Sequence, residues 1–88
     1  MKDADLVAYV ERVESYFFRW KRRPGSLSPQ DFARARRWFE EGVPVEAVLE
    51  GITLAFQAHG AGRDGETEEV NSLGFCQPFV EQVLRRKH

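Results

Sequence analysis

Residues Leu27 to Phe56 read LSPQDFARARRWFEEGVPVEAVLEGITLAF, and they spell out two helices together with the turn between them. Ser28 is a side chain that caps free backbone N–H groups. Pro29 follows at the first helical position, where its missing N–H costs nothing. Asp31 stands where a capping box places its acidic partner, and Leu27 and Phe32 hold the two positions of a hydrophobic staple. Phe32, Ala35, Trp38 and Phe39 then form a buried face. Gly42 closes the helix as a left-handed cap, with Val43 folding back toward Trp38. Pro44 opens the next helix, and Glu46 suits its first turn. Glu40 and Glu41 run against the dipole at a helix C-terminus, an effect that Arg36 and Arg37, each four residues earlier, offset by a few tenths of a kcal/mol.

The helix opened by Pro44 reaches about His59. Val45, Val48, Leu49, Ile52 and Phe56 make its broad apolar face. Ala47, Gly51, Leu54 and Ala58 make a second face of mostly small side chains, and Glu46, Glu50, Thr53 and Gln57 a polar stripe. A helix apolar over most of its circumference is covered by neighbours on several sides. This third helix is therefore expected at the centre of the domain.

Upstream, Leu6, Tyr9, Val10, Val13, Tyr16, Phe17 and Trp20 recur at spacings of three and four, so a helix is expected from about Asp3 to Arg22. Acids open it and Lys21, Arg22 and Arg23 close it, as the helix dipole favours; Pro24-Gly25 stops it. Downstream, Gly60 to Thr67 reads as a polar loop. A last helix is expected from about Glu68 to Arg86, with Val70, Leu73, Cys76, Val80 and Leu84 on one face, and Pro78 kinking or splitting it near Gly74. No segment sustains two-residue alternation, so no sheet is expected. The 88 residues thus read as one all-α domain: a compact four-helix bundle with helices at about 3–22, 29–41, 44–59 and 68–86.

Composition narrows the function. Seven Phe and two Trp supply a core, and a net charge of -1 argues against a strongly basic nucleic-acid binder while leaving room for a local patch. Cys76 is the one cysteine, so no internal disulfide forms, and no apolar run approaches the roughly 20 residues that span a bilayer. A cytoplasmic protein without membrane contact is expected.

No catalytic, cofactor or metal site emerges. Gly60 to Gly65 matches G-x-G-x-x-G, yet the dinucleotide reading needs a preceding strand, and a helix precedes it here. His59, Cys76 and His88 lack metal-ligand spacing. Cys76 reads as a small core residue, with no positioned base to make it a nucleophile. The paired acids Glu40/Glu41, Glu46/Glu50 and Glu68/Glu69 read as solvated surface.

Two surfaces remain. Arg19, Lys21, Arg22 and Arg23 end the first helix, and Arg34, Arg36 and Arg37 lie on the second, only about six residues further on, so the two clusters are expected to form one ridge flanked by Trp20. Several cations on one surface suit phosphate; the alternative is ordinary solvation and dipole compensation at helix ends. Val7 and Phe18, eleven residues apart, fall on one side of the first helix away from its main stripe. They either cap the bundle or form a patch for a partner or a second copy.

LSPQDFARARRWFEEGVPVEAVLEGITLAF, followed by NSLGFCQPFVEQV from Asn71 to Val83, looks like a group of uncharacterised bacterial helical proteins. These share an L-S-P-x-D-aromatic start, a Trp, then G-[VI]-P and an apolar helix. That pattern resembles the C-terminal helical domain of DnaD-type primosomal and phage replication proteins. The resemblance implies a non-enzymatic helical module. It would place the family's DNA-linked aromatic–aliphatic–Trp pattern at Phe75, Phe79 and Val83, where Phe replaces Tyr, Phe replaces the aliphatic and Val replaces Trp. The expected function is a self-associating, non-catalytic interaction module of a bacterial assembly. The alternative is a DNA-binding accessory domain using Arg19, Lys21, Arg22, Arg34 and Arg37.

Overall fold

A computed structural model describes residues 2–59, 70 and 72–86. It places four helices in order: α1 (Lys2–Lys21), α2 (Pro29–Glu40), α3 (Val45–His59) and α4 (Leu73–Arg86). No strand occurs among the described residues. The G-x-G-x-x-G loop, Glu68, Glu69, His88 and the side chain of His59 lie outside the described residues.

Local chemistry sets most helix ends. The Ser28 hydroxyl accepts the Asp31 N–H at 3.1 Å, with Pro29 first in the helix. At the other end of α2, Gly42 is left-handed at φ 79. Its N–H reaches the Phe39 carbonyl at 3.1 Å, and the Val43 N–H reaches the Trp38 carbonyl at 2.9 Å. That pair of bonds is a Schellman motif, which satisfies carbonyls the helix leaves open. α1 ends in the same pattern: Arg22 N–H to Arg19 carbonyl at 3.2 Å, and Arg23 N–H to Phe18 carbonyl at 3.4 Å. Here the left-handed position is an arginine, Arg22, at φ 63.

Cross-helix contacts fix the directions. The Tyr9 hydroxyl donates to the Val43 carbonyl at 2.7 Å. The Thr53 hydroxyl proton goes to the Leu49 carbonyl, so Tyr16 is the donor in its 2.6 Å bond to Thr53 Oγ1. Trp20 stacks on Phe56, centroids 5.5 Å apart. α1 and α3 therefore run parallel, and α2 runs back between their ends. Val80 lies against Gly51, and Arg86 reaches Glu50 at 3.1 Å, so α4 returns antiparallel to α3. One pole of the bundle gathers the ends of α1 and α3 with the starts of α2 and α4. The opposite pole holds the α2–α3 turn and the end of α4.

α3 packs on α1 and α4, and α2 closes the other side against the same two helices. Val48, Ile52 and Phe56 are fully buried, as the broad apolar face requires. The small-residue seam runs Ala47, Gly51, Ala55, at four-residue steps, and not on to Ala58, which is exposed. Gly51 is where α3 and α4 come closest: a Cβ there would sit 2.8 Å from the Val80 Cα and N.

Three sequence expectations need correction. Phe32 is 42 % exposed, and Asp31 is buried in its place at 8 %. The reason is a long-range hydrogen bond: the Asp31 carboxylate accepts the Leu73 N–H at 3.0 Å. That bond turns α2 by one residue, toward the start of α4. The second correction follows from the first. α4 begins at Leu73 rather than near Glu68, because Ser72 caps it (Phe75 N–H to Ser72 Oγ, 3.4 Å) while Asp31 takes its first N–H. Val70, outside the helix, is still fully buried. Third, of the kink or split expected from Pro78, the split does not occur: α4 runs continuously through Pro78, whose missing N–H removes one internal bond.

Candidate functional site

Helix ends and salt links distribute charge unevenly. Four ion pairs occur among the described residues: Arg12–Glu46 at 3.8 Å, Arg36–Glu40 at 3.0 Å, Arg37–Glu41 at 3.3 Å and Arg86–Glu50 at 3.1 Å. All four lie in the half of the bundle that carries the α2–α3 turn. At the first pole Arg19, Lys21, Arg22, Arg23 and Arg34 make no ion pair with a described residue. Arg85, at the opposite pole, likewise makes none.

Two described acids near the first pole are engaged with backbone. Asp31 is buried and receives Leu73 N–H. Glu14 accepts the Leu27 N–H at 3.0 Å. Lys21 is half-buried, its ammonium 5.4 Å from the Phe17 ring centroid. Burial first, and then the Arg23 charge, pull the Lys21 amine below its ordinary range, against an opposing pull from Asp31.

The five candidate nucleic-acid residues do not line a single groove. Tyr16, Arg19, Trp20 and Arg22 border one open groove of 360 Å³ at the end of α1. Arg34 and Arg37 border another, with Asp31, Ser72 and Gly74, beside the start of α4. Arg37 is also held by Glu41, whereas Arg34 makes no ion pair with a described residue. The sequence marks Trp20 only as a flank, because its spacing also fits the buried stripe.

Of the two candidate interface residues, Val7 is 53 % exposed. Phe18 is half-buried, edge-on to Phe17 at 5.3 Å and covered by Gly25, where an added Cβ would come within 2.5 Å of its ring. The eleven residues between Val7 and Phe18 correspond to about 16 Å of helix, so the two do not make one contiguous patch.

The Cys76 thiol and the Tyr9 phenol are both displaced toward their neutral forms. Burial, then the Asp31 charge, push the Cys76 thiol up to about 12. Burial, then Glu46, raise the Tyr9 phenol above its usual range. Among the described residues no group of three His, Cys, Asp or Glu side chains is placed to hold a metal ion. No described helix is long and apolar enough to cross a membrane.

No protein-family model matches the chain, and no curated protein or solved structure matches it either. The positions that the DnaD-type pattern would use lie on α4: Phe75 and Phe79 are half-buried against the core and Val83 is fully buried.

Proposed function

We propose that this chain is a non-catalytic helical interaction module whose basic pole binds a polyanion, with nucleic acid as the partner. The observation that carries the reading is the segregation of charge. Arg19, Lys21, Arg22, Arg23 and Arg34 make no ion pair with a described residue at one pole, while Arg12, Arg36, Arg37 and Arg86 are paired in the other half. Unpaired cations gathered on one face are what phosphate contacts use. The resemblance to DnaD-type domains points in the same direction, although the cations lie on α1 and α2 and not on the last helix.

Fluorescence anisotropy with a labelled oligonucleotide, measured across salt, tests this. Each phosphate contact steepens the log–log dependence by about -0.9 for duplex or -0.7 for single strands. Three or four contacts therefore give a slope of roughly -2 to -4. Arg23→Glu and Arg34→Glu should flatten the slope, and Arg36→Glu should not. No binding at low salt overturns the reading.

Self-association through α1 is the second reading, and it rests on the exposure of Val7. Sedimentation of the wild type and of Val7→Glu tests it. A dimer lost in the variant supports it, and a wild type that stays monomeric at high concentration removes it.

A further inference from the structure

We infer that the groove lined by Tyr16, Arg19, Trp20 and Arg22 is a seat for one unstacked nucleotide, which makes single-stranded nucleic acid the partner of the basic pole. This rests on the polyanion reading above and goes further by naming the partner's form.

The first observation is Arg22. The chain ends two helices with the same Schellman motif, and at α2 it uses glycine for the left-handed residue, Gly42 at φ 79. At α1 it uses Arg22 at φ 63. A side chain in that region is strained, whereas glycine is not. Strained residues that persist cluster at functional sites. What the arginine adds over glycine is a guanidinium on the rim of the groove, one turn from Arg19, and it makes no ion pair with a described residue.

The second observation is the floor of that groove. Trp20 is half-buried, and one of its faces is stacked on the fully buried Phe56, with rings inclined at 15°. The ring is thereby fixed, and its remaining surface borders the groove. Tyr16 is fixed as well, through its hydroxyl bond to Thr53. No described acid lines the groove. A rigid aromatic surface between two guanidinium groups that make no ion pair with a described residue matches a base and its flanking phosphates. Base stacking on aromatic side chains is sequence-tolerant because every base has a π-face. A duplex keeps its bases stacked on one another, so it can use the arginines but not Trp20.

Trp20 emission reads the contact, since the other tryptophan, Trp38, is only 4 % exposed. The probes are oligo-dT and oligo-U of about 15 nucleotides, a DNA duplex of the same length, and heparin, a polyanion without bases. Either single strand should quench Trp20 and bind about tenfold more tightly than the duplex. Trp20→Leu, verified as folded by its helical signal, should weaken single-strand binding about tenfold and leave heparin binding unchanged. Arg22→Gly is the second variant: it should raise the thermal midpoint and yet weaken single-strand binding several-fold. Duplex or heparin binding as tight as oligo-dT, or a Trp20→Leu or Arg22→Gly protein that binds single strands like the wild type, overturns the nucleotide seat and leaves the polyanion reading standing. Failure of all four probes to bind overturns the polyanion reading itself.

Discussion

Replacing Gly51 by alanine should loosen the whole bundle, and the size of the effect follows from the α3–α4 contact. An alanine Cβ would lie 2.4 Å from Val80 Cγ2 and 2.8 Å from both the Val80 Cα and N. The methyl of Val80 can turn away only at a cost, because Val80 is fully buried and β-branched side chains are stiff. The backbone atoms cannot turn at all. Carbon contacts relax near about 3.5–4.0 Å, so the helices must separate by about 1 Å. A gap of that size forfeits roughly a quarter to a half of the dispersion energy along the seam. Overpacking of this kind costs about 1–3 kcal/mol, occasionally more. Because α3–α4 is the most extensive interface of the fold, the cost belongs at the upper end. Alanine returns about 1 kcal/mol in helix propensity. The net loss is then about 2 kcal/mol, or a fall of roughly 8–16 °C in Tm for a domain this size.

Gly74 supplies the control. It is also helical, but its nearest neighbour to an added Cβ is Ser72 Oγ at 3.6 Å, an ordinary contact. Gly74→Ala should therefore gain up to about 1 kcal/mol from propensity alone. Thermal and urea unfolding followed by helical circular dichroism measure both variants. If Gly51→Ala proves as stable as the wild type, or gains as much as Gly74→Ala, then α3 and α4 are not in backbone contact at Val80 and the packing argument fails.

Three other outcomes can be measured on the same material. Asp31→Ala should cost about 2–3 kcal/mol in urea unfolding, since it leaves the buried Leu73 N–H without its charged acceptor, and Asp31→Asn, which keeps an acceptor oxygen, should cost less. Gly42→Ala should lose about 1 kcal/mol through φ alone, because nothing lies within 4 Å of the added methyl; an unchanged midpoint would mean that the cap is not left-handed. The Cys76 thiol is raised from its ordinary value of 9.0 to about 12, so the fold favours the protonated form. Its contribution is fully present below pH 9 and is lost as pH climbs toward 12. Tyr9, raised above its ordinary 10.0, adds a loss of the same sign only at higher pH, so the first part of the alkaline decline should be absent in Cys76→Ala.

The parts of the fold that were legible in the sequence are those decided within a few residues. Ser28, Pro29 and Gly42 mark both ends of α2 because a cap bonds its own helix. The α1 stripe was equally plain, since Val10, Val13 and Phe17 share a face whatever they pack against. The start of α4 was not legible. Val70, Leu73 and Cys76 stand three residues apart and look like one helical face, yet the helix begins at Leu73 because Asp31 waits 42 positions upstream to take its N–H. The same bond explains Phe32. Either Asp31 or Phe32 can start a buried face leading to Ala35 and Trp38, and only the partner on α4 decides for Asp31. At the candidate site, the clusters of arginine could be read directly. Their division into paired and unpaired sets could be read only in part: Glu40 and Glu41 are visible partners four residues on, whereas Glu46 and Glu50 reach Arg12 and Arg86 through the tertiary fold.

Helix dipoles do not account for the charge of the first pole. Two helices end there and two begin, so the partial charges of the four termini largely cancel, and the same holds at the opposite pole. Arg19 and Lys21 do suit the last turn of α1. Arg34 suits nothing of the kind, because it lies in the N-terminal half of α2, where the dipole gives a cation no benefit. Arg22 opposes the backbone preference of its own position. The fold would be easier to hold with glycine at Arg22. Helix-end compensation therefore leaves the left-handed Arg22 and the placement of Arg34 unexplained, and the proposed polyanion contact would account for both.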